Sequence, residues 1–155
     1  MKKLLILCLG FIMSCTSATS QNKSSDMQNN TEILASESQG GTDMPGFKMI
    51  KTEQELKNAV RGSFGLVEVG KEPDITYPQF PKDKKIIQYN LGMFRSGDHK
   101  ITQIKSLSIQ NDVLYVEVPQ YESGGLEIQA ISRPWFIFAV PSDYKFNSVE
   151  LKYSK

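Results

Sequence analysis

The chain has 155 residues, with 18 Lys+Arg against 17 Asp+Glu and an apolar fraction of 39%. That fraction supports a packed core and excludes global disorder, and the near-zero net charge excludes the basic field of a nucleic-acid binder. One histidine and two cysteines exclude a multi-His or multi-Cys metal cluster, and the residues imply no cofactor.

The aromatics are unevenly placed, since only Phe11 precedes Phe47. Met1-Lys2-Lys3 is followed by an apolar run from Leu4 to Met13. As a helix that run spans roughly 15 Å, about half a bilayer core, so it suits a secretory signal over 1–14 rather than a transmembrane anchor. Ile12-Met13-Ser14-Cys15 then resembles a bacterial lipobox. The resemblance implies cleavage before Cys15 and fatty acylation, palmitate included, of its sulfur. Each buried acyl methylene contributes about 0.8 kcal/mol, so two or three chains hold a protein at the membrane. Cys8 lies inside the discarded run, which leaves no thiol free for a disulfide. Thr16 stands where an inner-membrane retention aspartate would sit, and no acidic run follows Cys15. By sorting rules this implies an outer-membrane lipoprotein facing the periplasm.

Residues 15–45 read as the lipidated cysteine and a disordered tether. Ser, Thr, Asn and Gln fill sixteen of the thirty positions from 16 to 45, and no aromatic occurs there. Such a segment buries too little apolar surface to offset its ordering entropy. As a random coil it reaches about 30 Å. Ile33-Leu34-Ala35 suggests no more than a transient turn. The domain is expected over 46–155.

Thr52-Glu53-Gln54-Glu55 is a capping box, Leu56, Ala59 and Val60 form an apolar stripe, and Gly62 is a stop signal. One short N-terminal helix is predicted, packed at the edge of the domain. Everything beyond reads as strand. Residues 64–69 and 85–91 are rich in strand formers. Residues 101–109 form a strand whose phase slips, suggesting a bulge. Gln110-Asn111-Asp112 makes a turn, and Leu114, Val116 and Val118 alternate cleanly to complete a hairpin over 101–118. Residues 126–131 alternate again. Trp135 to Val140 is apolar throughout, the mark of a central strand covered on both faces. Val149, Leu151 and Tyr153 close the chain. Roughly seven strands predict a mainly β fold, a small antiparallel sandwich or partly open barrel.

Catalytic constellations are not supported. His99 lies beside Asp98 and near Ser96, but three residues so close in sequence seldom let a base bridge nucleophile and acid, and no G-x-S-x-G elbow exists. His99 reads as a residue of a solvated loop. Glu53 and Glu55 favour a helix start rather than a cleft. Gly124-Gly125 precedes no helix and is not a phosphate loop. No enzyme activity is expected.

Three loops stand out: 92–97, 119–125 and 132–135. Their Phe94, Arg95, Tyr121, Arg133 and Trp135 are of the types most used to anchor interfaces. Trp135 either fills the core or serves such an interface. Lys85-Ile86-Ile87-Gln88-Tyr89-Asn90-Leu91-Gly92 with Arg95-Ser96-Gly97, Gln129 to Trp135, and Phe138 to Pro141 together resemble the PrcB C-terminal domain family over about residues 80–155. Asp98-His99 stands where that family has Gly-Tyr. The resemblance implies a non-catalytic lipoprotein that associates with a secreted serine protease and supports its stability.

Arg133-Pro134-Trp135 and Gly124-Gly125 also echo two loops of chagasin-like protease inhibitors. The spacing differs, because the stretch from Gly125 to Arg133 has room for one strand where that family has a strand, a turn and a strand. A module binding glycans or small ligands through exposed aromatics is the remaining alternative. The expected partners are therefore the membrane, through Cys15, and an envelope or secreted protein.

Overall fold

The computed structural model describes residues 31–62, 76–123 and 130–155. The signal segment, Cys15 and the tether as far as residue 30 lie outside the described residues. So do the strand expected over 64–69, the Gly124-Gly125 turn, and the strand expected over 126–131 as far as Gln129.

The described elements are β1 (Glu32–Glu37), β2 (Gly46–Ile50), α1 (Glu53–Arg61), β3 (Lys84–Asn90), β4 (Ser106–Gln110), β5 (Val113–Pro119), β6 (Trp135–Pro141) and β7 (Ser148–Ser154). They form a four-stranded sheet in the order β1-β6-β3-β2 and a three-stranded sheet in the order β4-β5-β7. The fold is mainly β, with seven strands in two sheets and one short helix among the described residues, consistent with a small sandwich.

β6 organises the molecule. Residues Trp135 to Val140 are all 0% exposed. Alternation along a strand sends successive side chains to opposite faces. Phe136, Phe138 and Val140 pack with Leu107, Leu114, Val116 and Val149 of the smaller sheet. Trp135 and Ile137 pack with Leu56 and Val60 of α1, together with Ile50 and Ile86. The order of layers is therefore helix, large sheet, small sheet. The helix covers a face of the large sheet, not the edge position predicted for it, because the apolar side chains on that face of β6 need a cover.

α1 follows its sequence signals with two changes. The Glu55 amide donates to Thr52 Oγ1 at 3.1 Å. The Glu55 carboxylate accepts from the Lys51 amide at 2.7 Å, one residue before the cap. At the other end the Gly62 amide donates to Asn58 O at 2.9 Å, and Gly62 itself holds a helical φ of −63° rather than a left-handed one.

β1 departs most from the sequence expectation. Residues 32–37 are not tether: they pair antiparallel with β6 from Glu32↔Ala139 to Glu37↔Trp135. The register shifts between Ile33 and Ala35. Leu34 is the extra residue of this bulge, which lets Ile33 meet one core while Leu34 and Ala35 both meet the other. The domain thus includes residues from Thr31 onward. β2, also read as an unassigned stretch, pairs with β3 from Gly46↔Asn90 to Ile50↔Ile86.

The hairpin is shorter than predicted. Pairing runs from Ser106↔Glu117 to Gln110↔Val113. Asn111 (φ 51°) and Asp112 (φ 61°) form a two-residue left-handed turn, a conformation that Asn and Asp tolerate. Residues 101–105 join no strand; they carry the chain from one sheet to the other, with Ile101 buried at 5% exposure. The phase slip at Ile101 and Ile104 marks that crossing, not a bulge. β5 and β7 are parallel, against the wholly antiparallel arrangement predicted. The chain passes through β6 in the other sheet between them, so no tight turn forces them to run in opposite directions.

Candidate functional site

Register gathers the candidate residues at one end of the sandwich. Glu37, Trp135 and Asn90 lie side by side across the large sheet, and Pro119 pairs with Ser154 where the small sheet ends. The segments 38–45, 91–104, 119–123 and 130–134 extend beyond these rungs.

The segment 38–45 straps the approach to β6. Gly41 N–H donates to Arg133 O at 2.9 Å, and Arg133 N–H to Ser38 O at 3.0 Å. Gln39 Nε2 donates to Ile131 O at 3.0 Å. Gly41 is required here, because a Cβ would lie 2.6 Å from Arg133 O. The strap also closes over Trp135, whose Nε1–H donates to Gln39 O at 2.8 Å. Trp135 is a core residue, and its assignment to an interface is corrected: the ring faces α1 and the strap supplies the one partner that its N–H needs.

Phe94 and Ser132 form an isolated antiparallel bridge. Ser132 is 4% exposed, and the Phe94 ring packs against the main core. Alternation on either side of the bridge turns Met93, Arg95, Ile131 and Arg133 to the outer face together. Met93 is 41% and Ile131 54% exposed. Met44, 75% exposed, follows Asp43, whose carbonyl accepts from the Met93 N–H at 3.1 Å. Arg133 pairs with Asp43. Arg95 is exposed. Met93 and Ile131 thus share an outward-facing patch with Arg95 and Arg133, and Met44 is exposed on the neighbouring strap. Arg95 and Arg133 were singled out in the sequence, whereas Met44, Met93 and Ile131 were not. Their signal lies in the bridge register, which joins residues 38 positions apart.

Behind the patch the rings stack. The Phe94 and His99 centroids are 3.8 Å apart at 19°, and His99 and Tyr121 are 4.3 Å apart at 40°. His99 is half-buried between them, not a residue of a solvated loop. Its Nε2 donates to Ser96 O at 3.0 Å. The Asp98 carboxylate accepts from Ser38 Oγ at 2.6 Å and from the Lys100 amide at 3.0 Å. The Ser38 hydroxyl is the main reason that the Asp98 carboxyl lies below its ordinary range; burial opposes the shift, and the Lys100 amide and charge and the nearby His99 add to it. Ser96 contributes its carbonyl to His99 and Asp98 is held by Ser38, so the arrangement has no nucleophile–base–acid relay.

A cleft of about 200 Å³ opens beside the stack, with Leu91 and Ile101 in its floor and Tyr121 and Tyr153 in its walls. Burial, with a smaller contribution from Tyr89, raises the Tyr153 phenol above its ordinary value. No group of three or more His, Cys, Asp or Glu able to hold a metal occurs among the described residues. No helix among them is long and apolar enough to cross a membrane.

Comparison with protein-family models, with curated proteins and with solved structures finds no match to this chain.

Proposed function

We propose that this protein is a non-catalytic lipoprotein, held at the outer membrane through Cys15, that binds another envelope or secreted protein with the loops at one end of its sandwich. The observation that carries this is the shared outward face of Met93, Arg95, Ile131 and Arg133. Exposed apolar side chains rimmed by arginine are the usual composition of a docking patch. Anchoring rests on the Ile12 to Cys15 pattern. A secreted protease as the partner class rests on the resemblance of residues 80–155 to the PrcB C-terminal domain.

The geometry supports a protein partner over the bilayer. A tether joined at Glu32 enters β1 opposite Ala139, whereas the patch lies beyond Glu37 and Trp135. The two ends of the strand are about 20 Å apart. The patch therefore lies at the opposite end of β1 from the point where the preceding segment joins. The inhibitor alternative loses its anchor, because Trp135 is 0% exposed.

The test is affinity capture from detergent-solubilised envelope, comparing wild type with a Met93→Asp/Ile131→Asp variant. A specific protein retained by wild type and lost by a variant of unchanged melting temperature is the expected result. Recovery by wild type of nothing beyond what an unrelated tethered domain recovers refutes the proposal.

A further inference from the structure

The cleft beside the aromatic stack has a chemistry distinct from the patch. Its floor is apolar, with Leu91 8% and Ile101 5% exposed. Tyr121 and Tyr153 also line the cleft, together with the acidic residues Asp98 and Glu122. Aromatic faces carry the negative part of the ring quadrupole and attract cations. The hydrogen bond from Ser38 lowers the Asp98 pKa and so favours its ionised form. Lys100 also lines the cleft and its charge acts on Asp98, while its Nζ pairs with Glu37 Oε2 at 3.5 Å, so the nearby carboxylates Asp98, Glu122 and Glu37 outnumber it. The lining thus combines buried apolar and aromatic side chains with an excess of acidic over basic residues. Its volume of about 200 Å³ is below the roughly 300–1,000 Å³ of sites for whole small molecules. It matches one long side chain with an alkyl stem and a charged head.

We infer that this cleft receives a single basic side chain, the guanidinium of an arginine or the ammonium of a lysine, from the protein partner, with its stem over Leu91 and Ile101 and its head between Tyr121, Tyr153 and the carboxylates of Asp98 and Glu122. The inference rests on the binding role proposed above and names a second point of contact for it. Basic side chains seated against aromatic rings are frequent binding hot spots. Arg95 offers positive charge at the patch, where Arg133 is already paired with Asp43, so the partner surface carries both signs in a fixed order. That order gives register and specificity to the contact.

The experiment is an NMR titration of the full processed chain, ¹⁵N-labelled, with three probes: N-acetyl-arginine amide, N-acetyl-lysine amide and N-acetyl-citrulline amide. Citrulline keeps the shape of arginine without its charge. Both cations are expected to shift the amides of 98–102 and 120–122 with millimolar dissociation constants, and citrulline to bind at least tenfold more weakly. Glu122→Gln, an isosteric change at an exposed position, is expected to weaken cation binding about threefold or more. Citrulline binding as well as arginine, shifts confined to other residues, or no shift at 50 mM overturns the inference. The Met93→Asp/Ile131→Asp variant separates the two proposals. Loss of the partner with an intact arginine titration supports both, and loss of the partner alongside a failed titration in wild type removes only the cleft.

Discussion

Gly97 and Tyr121 fit each other at the centre of the loop cluster. A Cβ at Gly97 would lie 2.6 Å from two atoms of the Tyr121 phenol, and Gly97 holds φ at +78°, a conformation that L side chains rarely adopt. The glycine is thus demanded twice, by its backbone and by the ring that covers it. Tyr121 in turn lies against His99, and His99 against Phe94. Gly97→Ala is expected to cost about 1–2 kcal/mol from the backbone alone. It also pushes the Tyr121 ring off His99. Proton chemical shifts of the His99 ring check this, since they lose the ring-current contribution of Tyr121 while those from Phe94 persist.

Trp135 is the single tryptophan and reports on the core directly. Its emission is expected to be blue-shifted and insensitive to iodide in the folded protein, and to move red on unfolding. Trp135→Ala is expected to cost about 3–5 kcal/mol. Trp135→Phe leaves the Gln39 carbonyl without its donor, and about 1–3 kcal/mol of destabilisation follows from that loss. Urea denaturation followed by circular dichroism measures both.

A chain beginning at Gly46 lacks β1 and the strap, so one edge of β6 and the Trp135 side of the core are uncovered. The expected loss is at least about 3 kcal/mol, from the apolar contacts of Ile33 and Leu34 and the ladder hydrogen bonds. A chain beginning at Thr31 keeps every contact of β1 and is expected to melt close to the full-length protein. Equal melting temperatures for the two shortened chains would show that β1 contributes nothing.

Asp98 ties the strap to the cleft loop through Ser38. Its folded pKa lies below the ordinary carboxylate value of about 4. The sign follows from linkage: the contact contributes fully above that ordinary value and fades as pH falls through the lower folded pKa. Ser38→Ala removes that contact at every pH and is expected to raise the Asp98 pKa toward the ordinary range, so the acid-dependent part of stability that it carries in wild type is lost. Carboxyl ¹³C shifts of Asp98 across an acid titration measure the change.

Several elements were legible in the residues alone. The helix between Thr52 and Gly62, the Asn111-Asp112 turn, the alternation of β5 and the all-apolar β6 each follow from a pattern confined to neighbouring positions. Local patterns of this kind report hydrogen bonding or burial that the segment itself dictates. β1 was not legible in this way. Ile33-Leu34-Ala35 is a short apolar group in a polar stretch, and nothing local orders it. Its order comes from the bare edge of β6, about a hundred residues later in the chain.

The candidate site divides along the same line. The residue types in its loops and the sandwich class were set by the chain itself. Which side chains face outward was decided only by tertiary structure. Phe94 and Trp135 turned inward, and Met44, Met93 and Ile131 came to the surface beside Arg95 and Arg133. The physical reason is that a loop side chain has no intrinsic inside or outside. The Phe94–Ser132 bridge and the strap over β6 assign its face, and both join residues that are distant in the sequence.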